Sequence, residues 1–122
     1  MLRLAMFFSL ALITTTSAQT NRTELKKADL TGTNMEVIVA IVEVPPGHNL
    51  ERHTHNGEEA VYVLEGATLL PDGSERRFPT GAAVINVRDI PHAGFKVGGD
   101  KPLKMLKVHI VDKGTPLMVP AT

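Results

Sequence analysis

The 122-residue chain contains no cysteine and no tryptophan, and its formal net charge at pH 7 is zero with histidine neutral. Without cysteine there can be no disulfide and no lipid-modified cysteine anchor. Balanced charge without a basic stripe argues against nucleic acid as a partner. Residues 19–122 are numerous enough for a single domain, whose stability must come from its hydrophobic core.

The amino-terminal apolar run, residues 4–13, is too short to span a bilayer. It follows the basic Arg3 and precedes the small residues Thr16-Ser17-Ala18, a pattern typical of a secretory signal. We predict a signal peptide over residues 1–18, and therefore a secreted or periplasmic protein with no stable membrane anchor after cleavage. A buried strand or an uncleaved anchor is the alternative.

The rest of the chain has the turn and strand pattern of an all-β domain. Residues 19–34 are assigned as a polar lead-in, 35–114 as the folded domain and 115–122 as a C-terminal tail. Apolar and β-branched runs alternate with Gly, Pro and Asn turn signals, and no segment shows sustained helical periodicity. The predicted strands cover residues 35–44, 49–55, 58–64, 67–70, 75–78, 82–87 and 103–111. Their number and spacing predict a sandwich or barrel.

Three histidines and a carboxylate point to a metal site. His53 and His55 are separated by one residue, so both imidazoles lie on the same side of an extended strand. Glu59 follows closely, and His92 lies in a turn-rich segment. Imidazole and carboxylate together suit a first-row divalent metal with open coordination positions.

The residues by themselves leave two candidates for the carboxylate. A two-residue hairpin at Asn56-Gly57 would pair His55 with Glu58 and put Glu58 on the histidine side. A longer or bulged connection would put Glu59 there instead, because facing alternates residue by residue.

A family resemblance bears on that choice. The segment GHNLERHTHNGEEAVYVLEG resembles the first motif of the cupin superfamily at every defining position, namely Gly47, His53, His55, Glu59 and Gly66. The second cupin motif is matched at its ends, Gly81 and His92. Its inner proline and glycine are replaced by Val87 and Asp89, and its asparagine by Lys96.

The resemblance implies a small single-domain jelly-roll barrel that binds one divalent transition metal (iron, manganese, nickel, copper or zinc). The implied ligands are His53, His55, Glu59 and His92, with Glu59 also a catalytic base when it leaves the metal. A homodimer is expected because short cupins commonly pair, and because strands 35–44 and 103–111 would otherwise expose apolar edges.

The implied function is metal-dependent chemistry on a small-molecule substrate. The first hypothesis is an oxidoreductase, dioxygenase-like, that acts on a small oxygenated organic molecule. The second is an isomerase or lyase for a sugar derivative, and the third a non-catalytic periplasmic ligand-binding or metal-handling module. The fold cannot choose among them.

Four further residues are given roles. Arg88 and Lys96 are candidates for neutralising an anionic substrate, and Phe95 for lining its pocket. His109 is interpreted as a surface or interface histidine, because the opposite face of its strand carries the more apolar set of side chains. The alternative is that His109 contacts and orients a metal ligand.

Overall fold

The structure, a computed structural model, describes residues 19–122, which form β-strands and loops throughout. The predicted signal peptide, residues 1–18, lies outside the described residues. From residue 19 onward, no helix is long and apolar enough to cross a membrane.

Residues 19–122 form eleven strands, and every pairing among them is antiparallel. One sheet has the order β1-β2-β10-β5-β8, the second has the order β3-β9-β6-β7, and β11 pairs with β4. The strands are β1 (Asn21–Asp29), β2 (Met35–Val44), β3 (Asn49–Leu50), β4 (His53–Thr54), β5 (Gly57–Glu65), β6 (Ala67–Leu70), β7 (Arg76–Phe78), β8 (Ala83–Asn86), β9 (Phe95–Val97), β10 (Leu103–Asp112) and β11 (Val119–Pro120). The all-β prediction is confirmed.

The core lies between the two large sheets and follows from strict alternation along the strands. In β10 every second residue, from Leu103 to Val111, is buried. Apolar residues of both sheets form one buried cluster: Val42, Val44, Val61, Val63, Leu69, Val97, Leu103 and Met105. Full burial of such a side chain stabilises the fold by about 1.5–3 kcal/mol.

The inward face of β10 changes character along its length. Leu103 and Met105 belong to the apolar core, whereas Lys107 and His109 are buried polar residues. The next strand in the sheet, β5, places Glu59 directly opposite His109. One end of the interior is therefore apolar, and the other is polar.

Both ends of the described segment, residues 19–122, contain a strand that the sequence analysis did not assign. The polar lead-in contains β1, an edge strand that pairs along β2 with a register shift between Glu24 and Lys26. Its residues are almost all exposed, so it lacks the alternation by which strands are recognised. The C-terminal tail contains β11, whose Val119 and Pro120 pair with Thr54 and His53.

The predicted Asn56-Gly57 hairpin is wrong. The strand before it, β4, pairs with β11, whereas β5 pairs with β10 and β8. Gly57 is needed for another reason, since a Cβ there would overlap the carbonyl oxygen of Ile110 on β10. The glycine signal therefore reflects a close backbone approach, and the loop is not a two-residue turn.

Candidate metal centre

Three histidines meet at the polar end of the interior. His53 lies on β4, His55 just after it, and His92 in the loop before β9. His53 and His92 form an isolated bridge, with N···O distances of 3.1 and 3.0 Å in the two directions. His53 and His55 are buried, and His92 is partly buried. The strand pairing thus brings His92 to the two motif histidines.

A backbone carbonyl orients each of these imidazoles. The Nδ1 atom lies 2.6 Å from Glu51 O in His53, 2.6 Å from Leu117 O in His55 and 3.1 Å from Ile90 O in His92. Because a carbonyl only accepts, each Nδ1 carries the proton and each neutral ring has its lone pair on Nε2. Metal-binding histidines are commonly oriented in this way.

The free Nε2 atoms converge. His55 Nε2 lies 3.1 Å from His92 Nε2, and His53 Nε2 is buried without a hydrogen-bond partner among residues 19–122. One donor atom from each of the three side chains lies within 4.8 Å of the others. In neutral rings these lone pairs repel each other, and a cation between them would remove the repulsion. The donor set therefore fits a divalent transition metal.

Glu59 lies beside the histidines at the centre of a buried polar network. Its Oε1 accepts a hydrogen bond from Asn86 Nδ2 at 2.7 Å. Its Oε2 lies 2.8 Å from His109 Nε2, 3.1 Å from Lys107 Nζ and 3.3 Å from His55 Nε2. The side chain of Glu59 is 0% exposed.

This network controls the charge of Glu59. Burial raises the pKa of the carboxyl group, but the hydrogen bond from His109 and the charge of Lys107 outweigh it and hold the pKa well below its usual range. Glu59 is therefore a carboxylate at any working pH, which is the state that a metal ligand needs. A general base works best with a pKa near the working pH, so the network favours the ligand role over the predicted base role.

Three of the histidines, His53, His92 and His109, are held in their neutral state. Burial lowers the pKa of His53 to about 4, against the hydrogen bond to Glu51 and with the help of neighbouring charges. Burial also lowers the pKa of His92 and of His109. Neutral imidazole is the form that binds metals.

The three nominated histidines, His53, His55 and His92, form one group of donor atoms. Glu59, the fourth nominated residue, lies beside that group, 3.3 Å from His55 Nε2 and 3.8 Å from His92 Nε2. Glu58 is exposed on the opposite face of β5, so the geometry agrees with the family spacing and not with the hairpin register. One donor atom of His109 also lies within 4.8 Å of donor atoms of His55 and Glu59.

The surface interpretation of His109 is wrong, because only 1% of its surface is exposed. The face of β10 with Leu106, Val108 and Ile110 looked more apolar, but it is the outer face and is only half-buried. The signal that could have placed His109 is parity, since it shares an inward face with Leu103 and Met105.

Arg88 and Lys96 do not take the roles predicted for them. Arg88 forms a two-pronged ion pair with Asp112, with N···O distances of 2.8 and 2.9 Å. Lys96 is exposed on β9, opposite Asn49. Neither residue lines a cavity that reaches Glu59. The cation at the centre is Lys107, which the sequence analysis did not single out.

A cavity of about 230 Å³ leads to the cluster. Its polar wall is formed by His53, Glu59, His92 and Lys107 together with Arg76 and Asn86, and apolar residues form much of the rest. Phe95 lines it, which confirms the prediction for that residue. A small, partly apolar molecule could therefore reach the histidines.

Comparison with known proteins points in one direction. Residues 40–109, more than half of the chain, match the family model of the cupin domain. No curated protein matches the chain.

Solved structures resemble the chain over most of its length. The polyketide cyclase RemF from Streptomyces resistomycificus is 28% identical with a TM-score of 0.62, and the match covers 85% of this chain and 72% of that one. The DMSP lyase DddQ from Ruegeria pomeroyi is 24% identical with a TM-score of 0.63, over 84% of this chain and 52% of that one. A protein with a double-stranded β-helix domain from Klebsiella pneumoniae is 16% identical with a TM-score of 0.62, and the match covers 88% of this chain and 89% of that one.

Proposed function

Because this chain belongs to the cupin family, we propose that its buried cluster is a metal centre and that the protein is a metal-dependent enzyme. The substrate is a small oxygenated organic molecule. The observation that carries the proposal is the orientation of His53, His55 and His92, whose Nδ1 atoms face backbone carbonyls while their Nε2 atoms face one another.

The chain supplies the ligands and the surroundings of the reaction. His53, His55 and His92 would hold the metal, and Glu59 would complete the set as an anion that Lys107 and Asn86 keep in place. A bound divalent metal supplies Lewis-acid or redox chemistry toward an oxygenated substrate. The apolar part of the cavity, including Phe95, excludes bulk water from the reacting groups.

The first reaction class that we propose is oxidoreductase, dioxygenase-like. Three imidazoles and one carboxylate leave open positions on a six-coordinate ion for an oxygenated substrate and for dioxygen. The metal would be redox-active, most simply iron, manganese, nickel or copper.

A second class, non-redox lyase, isomerase or cyclase chemistry, has separate support. The chain is 28% identical to a polyketide cyclase over 85% of its length. In this class zinc would suffice, because the metal only has to polarise an oxygen of the substrate.

One experiment separates these classes and the non-catalytic alternative. The purified protein is analysed for metals, then loaded with iron or zinc and assayed for oxygen uptake with catechols and flavonols. It is also assayed without oxygen for α-proton exchange of acetoin in D₂O. Oxygen uptake by the iron-loaded protein but not by the zinc-loaded protein supports the oxidoreductase. Exchange of the α-proton of acetoin by the zinc-loaded protein supports the second class. If no metal binds tightly, the proposed function is wrong. If metal binds but none of these compounds perturbs it, the metal-handling alternative replaces the enzyme.

Export and pairing complete the proposal. Amino-terminal sequencing of exported protein should find Gln19 first, and a retained Met1 would contradict the signal peptide.

The physical reason for a homodimer differs from the one that the sequence suggested, because β2 and β10 are internal strands and β1 and β8 are the edges. The outer face of that sheet instead exposes Tyr62 by 46% and Ile85 by 66%, an apolar surface suited to a second copy. Light scattering should give twice the monomer mass, and Ile85→Lys should lower it.

A further inference from the structure

A second cavity of about 280 Å³ reaches the same cluster through different walls. It shares Leu50, Glu59 and Lys107 with the first cavity. His55 and His109 border the second cavity, whereas His53 and His92 border the first. The cluster is therefore accessible along two routes. The proposed function uses the first route, and a ligand of the second route would contact different residues.

Arg22 supplies an unpaired cation to this second cavity. It lies on β1 opposite the core residue Val42. Its Nη2 atom is buried and has no hydrogen-bond partner among residues 19–122. A buried guanidinium donor without an acceptor is rare in folded proteins, because it loses its hydration without replacement. An acceptor brought by a ligand would satisfy it.

The carboxylates near Arg22 do not fill that role. Glu59 already contacts Lys107, His109 and Asn86, and it forms no ion pair with Arg22 within 4.0 Å. Glu51 is exposed at the rim, where water solvates its side chain. Glu24, two residues along β1, also acts electrostatically on Arg22, but it is exposed and forms no ion pair with Arg22 within 4.0 Å. Arg22 therefore keeps a buried donor that no carboxylate of residues 19–122 accepts.

The remaining walls define the rest of the ligand. Val42, Leu50, Leu117 and Met118 line the same cavity with apolar surface. The planar fork of a guanidinium matches a carboxylate with two parallel hydrogen bonds. A ligand for this cavity therefore has a carboxylate at one end and an aliphatic part behind it.

We propose that this cavity binds the carboxylate of a short aliphatic organic acid on Arg22, and that such acids are the substrate class. The assignment of the acid as substrate rests on the proposed function, whereas its binding does not need the metal. Arg22 is a specificity-determining residue in this scheme, and it takes no part in the reaction itself.

The test uses metal-free protein, with hexanoate as the probe and hexanamide as its uncharged counterpart, titrated by calorimetry near pH 7.5. The wild-type chain should bind hexanoate on the order of tenfold more tightly than hexanamide. Arg22→Gln should abolish the difference, and Arg22→Lys should keep part of it. Arg77→Gln is the matched control, because Arg77 is exposed on β7 and lines neither cavity. Its hexanoate affinity should equal that of the wild type.

The proposal is overturned if Arg22→Gln retains the preference for hexanoate, or if the wild type binds both probes equally. Circular dichroism checks that each variant is folded. If Arg22→Gln does not fold, the Arg22→Lys variant tests the proposal, and its preference for hexanoate over hexanamide should be smaller than that of the wild type. A failed hexanoate test leaves the metal content untouched, so it is distinguishable from a failure of the metal centre. Conversely, protein that binds hexanoate through Arg22 but no metal would keep the cavity assignment and remove the enzyme.

Discussion

The ammonium group of Lys107 lies 3.1 Å from Oε2 of Glu59, and both side chains are buried on diagonal positions of the neighbouring strands β10 and β5. An isolated buried charge is costly, so each residue makes the presence of the other tolerable. The pair also means that the carboxylate beside the histidines is charge-balanced before any metal arrives.

Lys107→Met should destabilise the metal-free protein by about 3 kcal/mol, because it leaves a buried carboxylate without its cation. Lys104→Met is the matched control on the outer face of the same strand, where the change should stay within about 0.5 kcal/mol. Urea unfolding at pH 7.5 measures both. Equal effects of the two substitutions would show that the buried pair has no special importance.

Substitution of the four nominated ligands should lower the metal affinity, whereas substitution of the neighbouring Glu58 should not. His53→Ala, His55→Ala or His92→Ala should lower the metal affinity by more than about 100-fold, because losing one imidazole removes a ligand outright. Glu59→Gln should weaken binding less, and exposed Glu58→Gln should leave it unchanged. Metal analysis after dialysis against a chelator measures retention. Loss of metal in Glu58→Gln but not in Glu59→Gln would contradict the geometry of β5.

Acid should destabilise the metal-free protein between about pH 6.5 and pH 4. The pKa of His53 is about 4 in the folded state, below the ordinary value of 6.5, so the unfolded chain takes up the proton first. Stability is then complete above pH 6.5 and falls as the pH drops toward 4, by roughly 3 kcal/mol for this residue.

Urea midpoints at pH 7.5, 5.5 and 4 should follow that decline, and His53→Gln should flatten it. A decline of the same size in His53→Gln would assign the acid sensitivity to other groups.

Gly57→Ala should cost more than about 2 kcal/mol, because the new methyl group would overlap the backbone of Ile110 and Val111. Gly73→Ala provides the comparison. Gly73 also has a positive φ, of 82°, but nothing lies within 4 Å of a Cβ there. Thermal unfolding of the two variants should separate steric overlap from backbone strain, and equal costs would rule the overlap out.

The sequence predicts those parts of the fold that depend on local pattern. Strands such as β2 and β10 are marked by apolar and β-branched runs between turn residues, and the spacing of His53, His55 and Glu59 follows a family motif. Pairing partners are not local. The turn signal at Asn56-Gly57 therefore predicts a hairpin that the pairing of β4 with β11 excludes. For the same reason, the polar β1 could not be recognised without its partner β2.

The candidate site shows the same division. The motif nominates His53, His55 and Glu59, but the surrounding network depends on which face of β10 points inward. Two polar residues on that face, Lys107 and His109, reverse the apparent hydrophobic balance of the strand. A buried ion pair on a core-facing surface resembles a solvent-facing one when composition is the only guide.

The carbonyl of Leu117 that accepts the Nδ1 proton of His55 belongs to the last six residues of the chain. In the proposed metal centre, attachment of this segment and binding of the metal are therefore coupled equilibria. If attachment of the segment raises the metal affinity by a given factor, metal binding strengthens attachment of the segment by the same factor. A fusion or truncation at this end would act on the centre at a distance, and protease sensitivity of the terminus would serve as a readout of metal loading.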